Sequence, residues 1–318
     1  MKKEIPPLTS PDVIKRTITL FSHLVILEDV DELTHGLYSR NSLLAMTKDW
    51  NLFVEFCLSK RVHPLPASST AVRLFLENES KQRKYATIRR YAVTIGLFHR
   101  IISQPDPTTN PRIRQCLADL RLKKKGDAKQ AVAFTSSHFQ LLVQKLANSE
   151  RSIDHRNLAL AGIMFECALK RSETKNLSVF SINMEDACTT LHIEATTYQL
   201  SDTLSAVVRN WVSALGATQG PLFRAIDRHG NIGEAPMDDS SIYRALRTLG
   251  EMIGGDFKFS GQSLRIGAVR ELASQGHKVK DIQEFGRWLS PAMPYQYLGN
   301  KDKAETEKVQ FKTIKPWG

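Results

Sequence analysis

The sequence predicts a mainly α protein of two helical domains, the second carrying one small β-sheet. Apolar residues recur at steps of three and four through most of the 318 residues, as they do on one face of a helix. Period-two alternation is confined to "TTLHIEATTYQL", where Leu191 and Ile193 alternate with polar neighbours. Between the two helical stretches, "RLKKKGDAKQAVAF" is basic and shows neither period, as an exposed linker does. With 42% hydrophobic residues the chain can bury a sizeable core.

The elements follow in order. Residues 1–30 read as a loose N-terminal arm leading into a short first helix. A helical domain spans 31–122. Within it Leu43, Met46, Trp50, Phe53, Val54 and Cys57 mark one helix, which "RVHPLPASST" ends. Ser69 or Thr70 is placed to cap the next, "AVRLFLEN". "KQRKYATIRRYAVTIGLFHRII" is a third helix, with Ile88, Tyr91, Ile95 and Phe98 inward and Lys81, Arg83, Lys84, Arg89 and Arg90 outward. "SQPDPTTNPRIRQ" breaks it with three prolines, and a further helix runs to about Leu122.

The linker is expected at 123–133 and the second domain at 134–318. There Thr135 or Ser136 caps a helix to Leu146, and Asn157 to Lys170 forms another. After the sheet, helices resume in "SDTLSAVVRNWVSAL", "DDSSIYRALRTLGEMIG" and "SGQSLRIGAVRELASQG". The tail after Tyr297 is weakly amphipathic, with Val309, Phe311 and Ile314 as candidate anchors.

Composition narrows the function classes. Lys and Arg outnumber Asp and Glu by 44 to 33, a net charge of +11, which favours a polyanionic partner such as nucleic acid. No apolar run approaches the roughly 18 residues of a membrane span, so no membrane partner is expected. The N-terminus shows no apolar signal region. Four scattered cysteines fit reduced thiols in a cytoplasmic protein, and no metal site is read from them.

Four segments of the second half carry candidate chemistry: "ALKRSE", "SGQSLRIGA", "FGRW" and "YQYLGN". Singly, each has an ordinary structural reading: a basic residue at a helix end, a packed Trp, a packed Tyr. In order they do not. "DAKQAVAF", "HRNLALAGIMFECALKRSE", "SGQSLRIGAVRELASQG" and "IQEFGRW", with Tyr297 nine residues after Trp288, resemble the tyrosine recombinases of the phage integrase family, in particular the Cre-like branch. The resemblance runs over nearly the whole chain.

It implies a C-shaped clamp on double-stranded DNA, formed by a helical core-binding domain and a mostly helical catalytic domain. It implies DNA contacts from Lys84, Arg89 and Arg90, from Lys123, Lys124 and Lys125, and from Arg244 and Arg247; for any one of these a solvated face remains the plain alternative. It implies self-association on DNA through the C-terminal tail, in a cytoplasmic, nucleoid-associated protein of a mobile element. The family's reaction is attack of a tyrosine on a phosphodiester, giving a 3'-phosphotyrosine and a free 5'-hydroxyl. Such a step conserves bond energy and calls for no cofactor and no metal.

By resemblance Tyr297 is the nucleophile, with Tyr295 a substitute two residues away. Arg265 is the second phosphate-clamping arginine, Trp288 packs against the phosphate, and Glu173 supports the site from behind. Three positions depart from the family. Lys170 stands where its first arginine belongs, keeping the charge and losing the planar fork. Gln262 replaces a histidine and cannot take up a proton near neutral pH. The hairpin that carries the family's catalytic lysine holds none in "LHIEATTYQLSD"; Thr197 is its positional counterpart. Three readings stay open: a DNA-binding recombinase relative with an eroded site, an active site-specific recombinase, and a helical interaction module without a DNA role.

Overall fold

The computed structural model describes residues 5–127, 130–185 and 188–314, apart from the side chains of 312–314. The Ile314 side chain, one of the candidate anchors, and linker residues 128–129 therefore lie outside what is described. Two compact units divide the chain, residues 1–129 and 130–318. Both are mainly α, and the second holds the only strands among the described residues.

In the first unit, part of the expected loose arm is a helix. α1 (Pro11–Phe21) starts on a proline, whose fixed φ suits a first helical turn. Ile14 and Ile18, four apart, lie against the core, and Phe21 is buried edge-on to Phe98 at 5.5 Å. The arm's apolar residues are sparse, but their spacing is helical. α2 (Leu27–Leu33) crosses the expected boundary at residue 30 with Val30 buried.

α3 (Arg40–Ser59) supplies Trp50 and Phe53, and Trp50 Nε1 donates to the Phe21 carbonyl at 3.0 Å. α4 (Ser69–Ser80) is capped by Ser68, one residue before the expected cap, through the Ala71 amide at 3.1 Å. α5 (Tyr85–Ile101) begins four residues later than expected, since Lys81 ends α4 and Lys84 caps α5. Asn110 and Pro111 start α6 (Pro111–Lys123), so Lys123 belongs to a helix rather than to a linker.

Arg90 is exposed, as its outward position on α5 predicts, but it also has a partner that the sequence did not show. Its guanidinium grips Asp49 at 2.7 and 2.8 Å, and Asp49 is 1% exposed. Burial pushes the Asp49 carboxyl up despite that pairing, so the arginine is what keeps a charge tolerable there. Arg90 is thus paired within the domain, while its side chain stays 50% exposed. Arg90→Ala should lower stability by about 1–3 kcal/mol, seen as a reduced urea midpoint, whereas Arg89→Ala should leave the midpoint unchanged.

The second unit is built on α8 (Ser152–Glu166), whose Leu158 to Phe165 run is buried all round, as a helix covered on every side must be. It starts five residues before and ends four residues before the sequence expectation. α7 (Ser136–Leu146), α10 (Asp202–Leu215) and α12 (Gly261–Ser274) pack on it. A Cβ on Gly162 would lie 2.3 Å from Leu204, so glycine is what lets α10 approach. A Cβ on Gly267 would meet the Phe134 carbonyl at 1.7 Å. Gly267→Ala should therefore shift α12 and destabilise this unit by about 1–3 kcal/mol, measurable by thermal melting.

The expected sheet is the antiparallel order β1 (Ile182–Met184), β2 (Thr189–Ile193), β3 (Thr196–Gln199). A second hairpin, β4 (Arg224–Ile226) with β5 (Ile232–Pro236), was not expected. Its strands are short and mostly solvent-facing, so no alternation marks them. α11 (Asp239–Ile253), α13 (Val279–Phe285), α14 (Ala292–Tyr297) and α15 (Lys301–Ile314) complete the unit. α9 (Arg171–Lys175) is a single short turn after α8.

Candidate active site

Three local structures bring the candidate residues together. After α8 the chain makes a left-handed turn at Ala168 (φ 50), and Lys170 takes an extended conformation as the N-cap of α9. Ser260 caps α12 through the Ser263 amide, which places Gln262 in the first turn and Arg265 on the same face one turn deeper. Between α13 and α14, Gly286 leaves room for the Trp288 ring, which a Cβ would meet at 1.7 Å. Tyr297 is the last residue of α14.

Lys170, Arg171, Gly261, Gln262, Arg265, Trp288 and Tyr297 line one pocket of about 350 Å³. Glu173 lies behind it. Thr197 lies outside the lining, on the β2–β3 hairpin, where it pairs with His192 and their side chains meet at 2.9 Å. That hairpin carries an imidazole and a hydroxyl but no ammonium.

Arg265 is buried. Its two terminal nitrogens donate to the carbonyls of Ala168 at 2.9 Å and Gly286 at 3.0 Å, and Trp288 covers its face at 4.1 Å. Burial lowers its pKa, while Glu173 and Tyr297 pull it back up. The cation is fixed before any ligand arrives, the condition under which a charge stabilises a developing anion best.

Tyr297 is 5% exposed, with its ring edge-on to Trp288 at 6.1 Å. Burial raises its phenol pKa, and Arg265 and the Gln262 amide oppose that rise. Tyr295 turns elsewhere, under the Lys303 ammonium at 5.6 Å on α15. Geometry thus separates the two tyrosines that spacing alone left as alternatives.

Glu173 is the hub behind the pocket. It accepts from the Lys170 backbone at 2.7 Å, the Lys170 ammonium at 3.1 Å and Arg287 at 3.1 Å, and lies 3.9 Å from Arg265. Burial alone would raise its pKa, but the Arg287 and Lys170 hydrogen bonds prevail and hold the carboxyl below its usual value. Arg287 escaped the sequence reading. It sits in the left-handed region (φ 54) and also donates to the Tyr198 hydroxyl and to the Cys167 and Phe285 carbonyls. Its only sequence signal is a basic residue inside the already suspicious "FGRW".

Of the other candidates, Lys84, Arg89, Lys123, Lys125 and Arg244 are exposed, while Lys124 and Arg247 are half-buried. Arg244 donates to the Ser241 hydroxyl at 2.7 Å, and Arg247 stacks on Tyr243 at 4.8 Å. A larger cavity of about 640 Å³ lies beside Glu166, Asp202 and Glu271; its acidic lining is unsuited to a phosphate.

The sequence pattern of the phage integrase family matches residues 133–304, more than half of the chain. The chain belongs to the phage integrase family. It is 25% identical to the recombinase Cre of Escherichia phage P1, an alignment covering 95% of this chain and 93% of the relative. It is 23% identical to an integrase/recombinase XerD homologue of Selenomonas ruminantium, covering 83% and 84%. Among solved structures, XerH bound to its palindromic difH substrate in a post-cleavage complex superposes with a TM-score of 0.62 at 11% identity, covering 94% of this chain and 88% of the other. The Tn1549 transposon integrase with transposon right-end DNA gives 0.61 at 13% identity, covering 92% and 99%. These two show a shared fold. Across this family member no described helix is long and apolar enough to cross a membrane.

Proposed function

We propose that this phage integrase family member binds double-stranded DNA at recombination sites, seats a DNA phosphate beside Tyr297, and cleaves the strand only slowly. The observation that carries the reading is one pocket holding a fixed Arg265, an overlying Trp288 and the Tyr297 phenol. The DNA present in the XerH and Tn1549 integrase structures, together with a net charge of +11, supports DNA as the partner. Most contacts would go to phosphates, from exposed side chains such as Lys84, Arg89, Lys125 and Arg244.

The chemistry is attack of the Tyr297 oxygen on phosphorus with departure of the 5'-oxygen, so one P–O bond replaces another. Arg265 would stabilise the negative charge that spreads over the nonbridging oxygens. Slowness follows from what the pocket lacks. Gln262 can donate to an oxygen but cannot relay a proton, and the hairpin offers no ammonium to protonate the leaving group. Each such loss costs on the order of 10²- to 10⁴-fold, and losses within one catalytic unit do not simply add. Self-association would use α15, whose Val309 is 64% exposed. A DNA-bound role would place the protein in the cytoplasm with the nucleoid.

Duplexes selected by the protein from random sequences provide the test, used intact and as nicked suicide substrates. Binding should weaken steeply with salt, by roughly 10³- to 10⁵-fold between 50 and 200 mM if about six to ten phosphates are contacted. A covalent adduct should accumulate slowly with the wild type and not at all with Tyr297→Phe, which should still bind. Salt-insensitive binding would instead favour a protein-interaction module. Because burial keeps the phenol protonated near pH 7, adduct formation should accelerate from pH 7 to pH 9 as more of Tyr297 ionises.

A further inference from the structure

Spacing puts Lys170 in the first clamping position, and on one continuous helix its neighbour Arg171 would point about 100° away from it. The structure removes that objection. Lys170 is an extended N-cap residue (φ −81, ψ 154), and only Arg171 begins the helix, so no helical step separates their directions. We infer that Arg171, not Lys170, is the second guanidinium that grips the DNA phosphate opposite Arg265. This rests on the phosphate-binding reading above and adds to it the residue that restores a planar fork.

Three observations support the assignment. First, the Lys170 ammonium is already engaged by Glu173 at 3.1 Å, and its backbone amide is held by the same carboxylate at 2.7 Å. Moving that ammonium to a phosphate would take a partner from a carboxylate only 16% exposed. Second, Arg171 lines the pocket beside Arg265, Gln262 and Tyr297, and among the described residues its side chain makes one hydrogen bond, a long one to the Asp239 carbonyl at 3.4 Å. A guanidinium has five donors, so most of this one's are available to an incoming oxyanion. Third, the Arg171 stem lies against Gly261 at the start of α12. A Cβ there would stand 3.1 Å from Arg171 Cγ, so the glycine lets this side chain approach the pocket.

Arg265 and Arg171 then present two forks to the nonbridging oxygens, Gln262 adds a neutral donor, and Lys170 serves Glu173 behind them. Bidentate guanidinium contacts suit a phosphate in a way an ammonium does not. Lys170 is on this view a positioning residue.

The test compares wild type, Arg171→Ala, Arg171→Lys and Lys170→Ala by two readouts. One is the rate of adduct formation on a selected nicked duplex, with its Kd. The other, independent of cleavage, is binding of orthovanadate, a phosphate mimic, followed by vanadium NMR. Arg171→Ala should slow adduct formation on the order of 10²- to 10³-fold and weaken vanadate binding, with duplex Kd changed only a few-fold. Arg171→Lys should recover little. Lys170→Ala should slow the reaction less than Arg171→Ala and leave vanadate binding near wild type. The assignment is overturned if Arg171→Ala matches wild type in both readouts, or if Lys170→Ala has the larger effect. If wild type forms no adduct yet binds vanadate, and Arg171→Ala weakens that binding, the cleavage reading fails while the assignment stands. A circular dichroism melt excludes misfolding as the cause of any loss.

Discussion

Arg287→Met should destabilise the second unit by about 3–5 kcal/mol, the cost of stranding one partner of a buried ion pair. Glu173 would lose its 3.1 Å contact to Arg287, and the Tyr198 hydroxyl and two carbonyls would lose a donor. Both partners are largely inaccessible, at 13% and 16% exposure, so water cannot easily replace the arginine. Arg287→Gly should cost less than Arg287→Met by about 1 kcal/mol, because glycine accepts the left-handed conformation at φ 54 without strain. Urea unfolding of the three proteins measures both differences.

The pair also fixes a pH dependence. The native Glu173 carboxyl titrates below its unfolded value of about 4.3. The native state therefore favours the ionised form, and the stabilisation is complete above that unfolded value. It is lost as the pH falls through the lowered native value. In Arg287→Met the loss of stability on acidification should be shallower, since less of it depends on that carboxylate.

Arg265→Ala should nearly abolish adduct formation, with a fall of at least about 10²- to 10³-fold, the usual cost of one fixed donor at a developing anion. It should also weaken folding, since the Ala168 and Gly286 carbonyls lose their donor and Trp288 loses the cation beneath it. Arg265→Lys separates the two effects. It keeps a charge near Glu173 but cannot span two carbonyls and a phosphate, so stability should partly return while the rate does not. Rate and melting temperature on the same preparations decide the matter.

What could be read from the sequence follows the strength of its periodic signals. Helices α3, α5, α10 and α11 bury one clear face each, and their existence was legible although their ends were not. Only a short first helix at the end of a loose arm was expected where α1 runs, because two isoleucines and a phenylalanine alone mark its inner face. The β4–β5 hairpin was missed because solvent-facing strands carry no alternation. At the candidate site, spacing located Tyr297, Arg265, Trp288, Gln262 and Glu173, since a family resemblance is ordered along the chain. It could not show how neighbours divide their partners. The extended cap at Lys170 decides which of two adjacent basic side chains is tied to Glu173, and the left-handed turn at Arg287 decides what backs it. Neither backbone conformation leaves a trace in composition. Arg90 makes the same point in the first unit: an outward position on the helical wheel still reaches a buried carboxylate on a neighbouring helix.

The most direct test of the account is peptide mapping of the covalent product formed on a nicked duplex. A DNA fragment joined through its 3'-phosphate to the peptide containing Tyr297, and carried by that residue, is the expected result. Attachment at Tyr295, or no covalent product after long incubation at pH 9 with a duplex that the protein binds tightly, would contradict it.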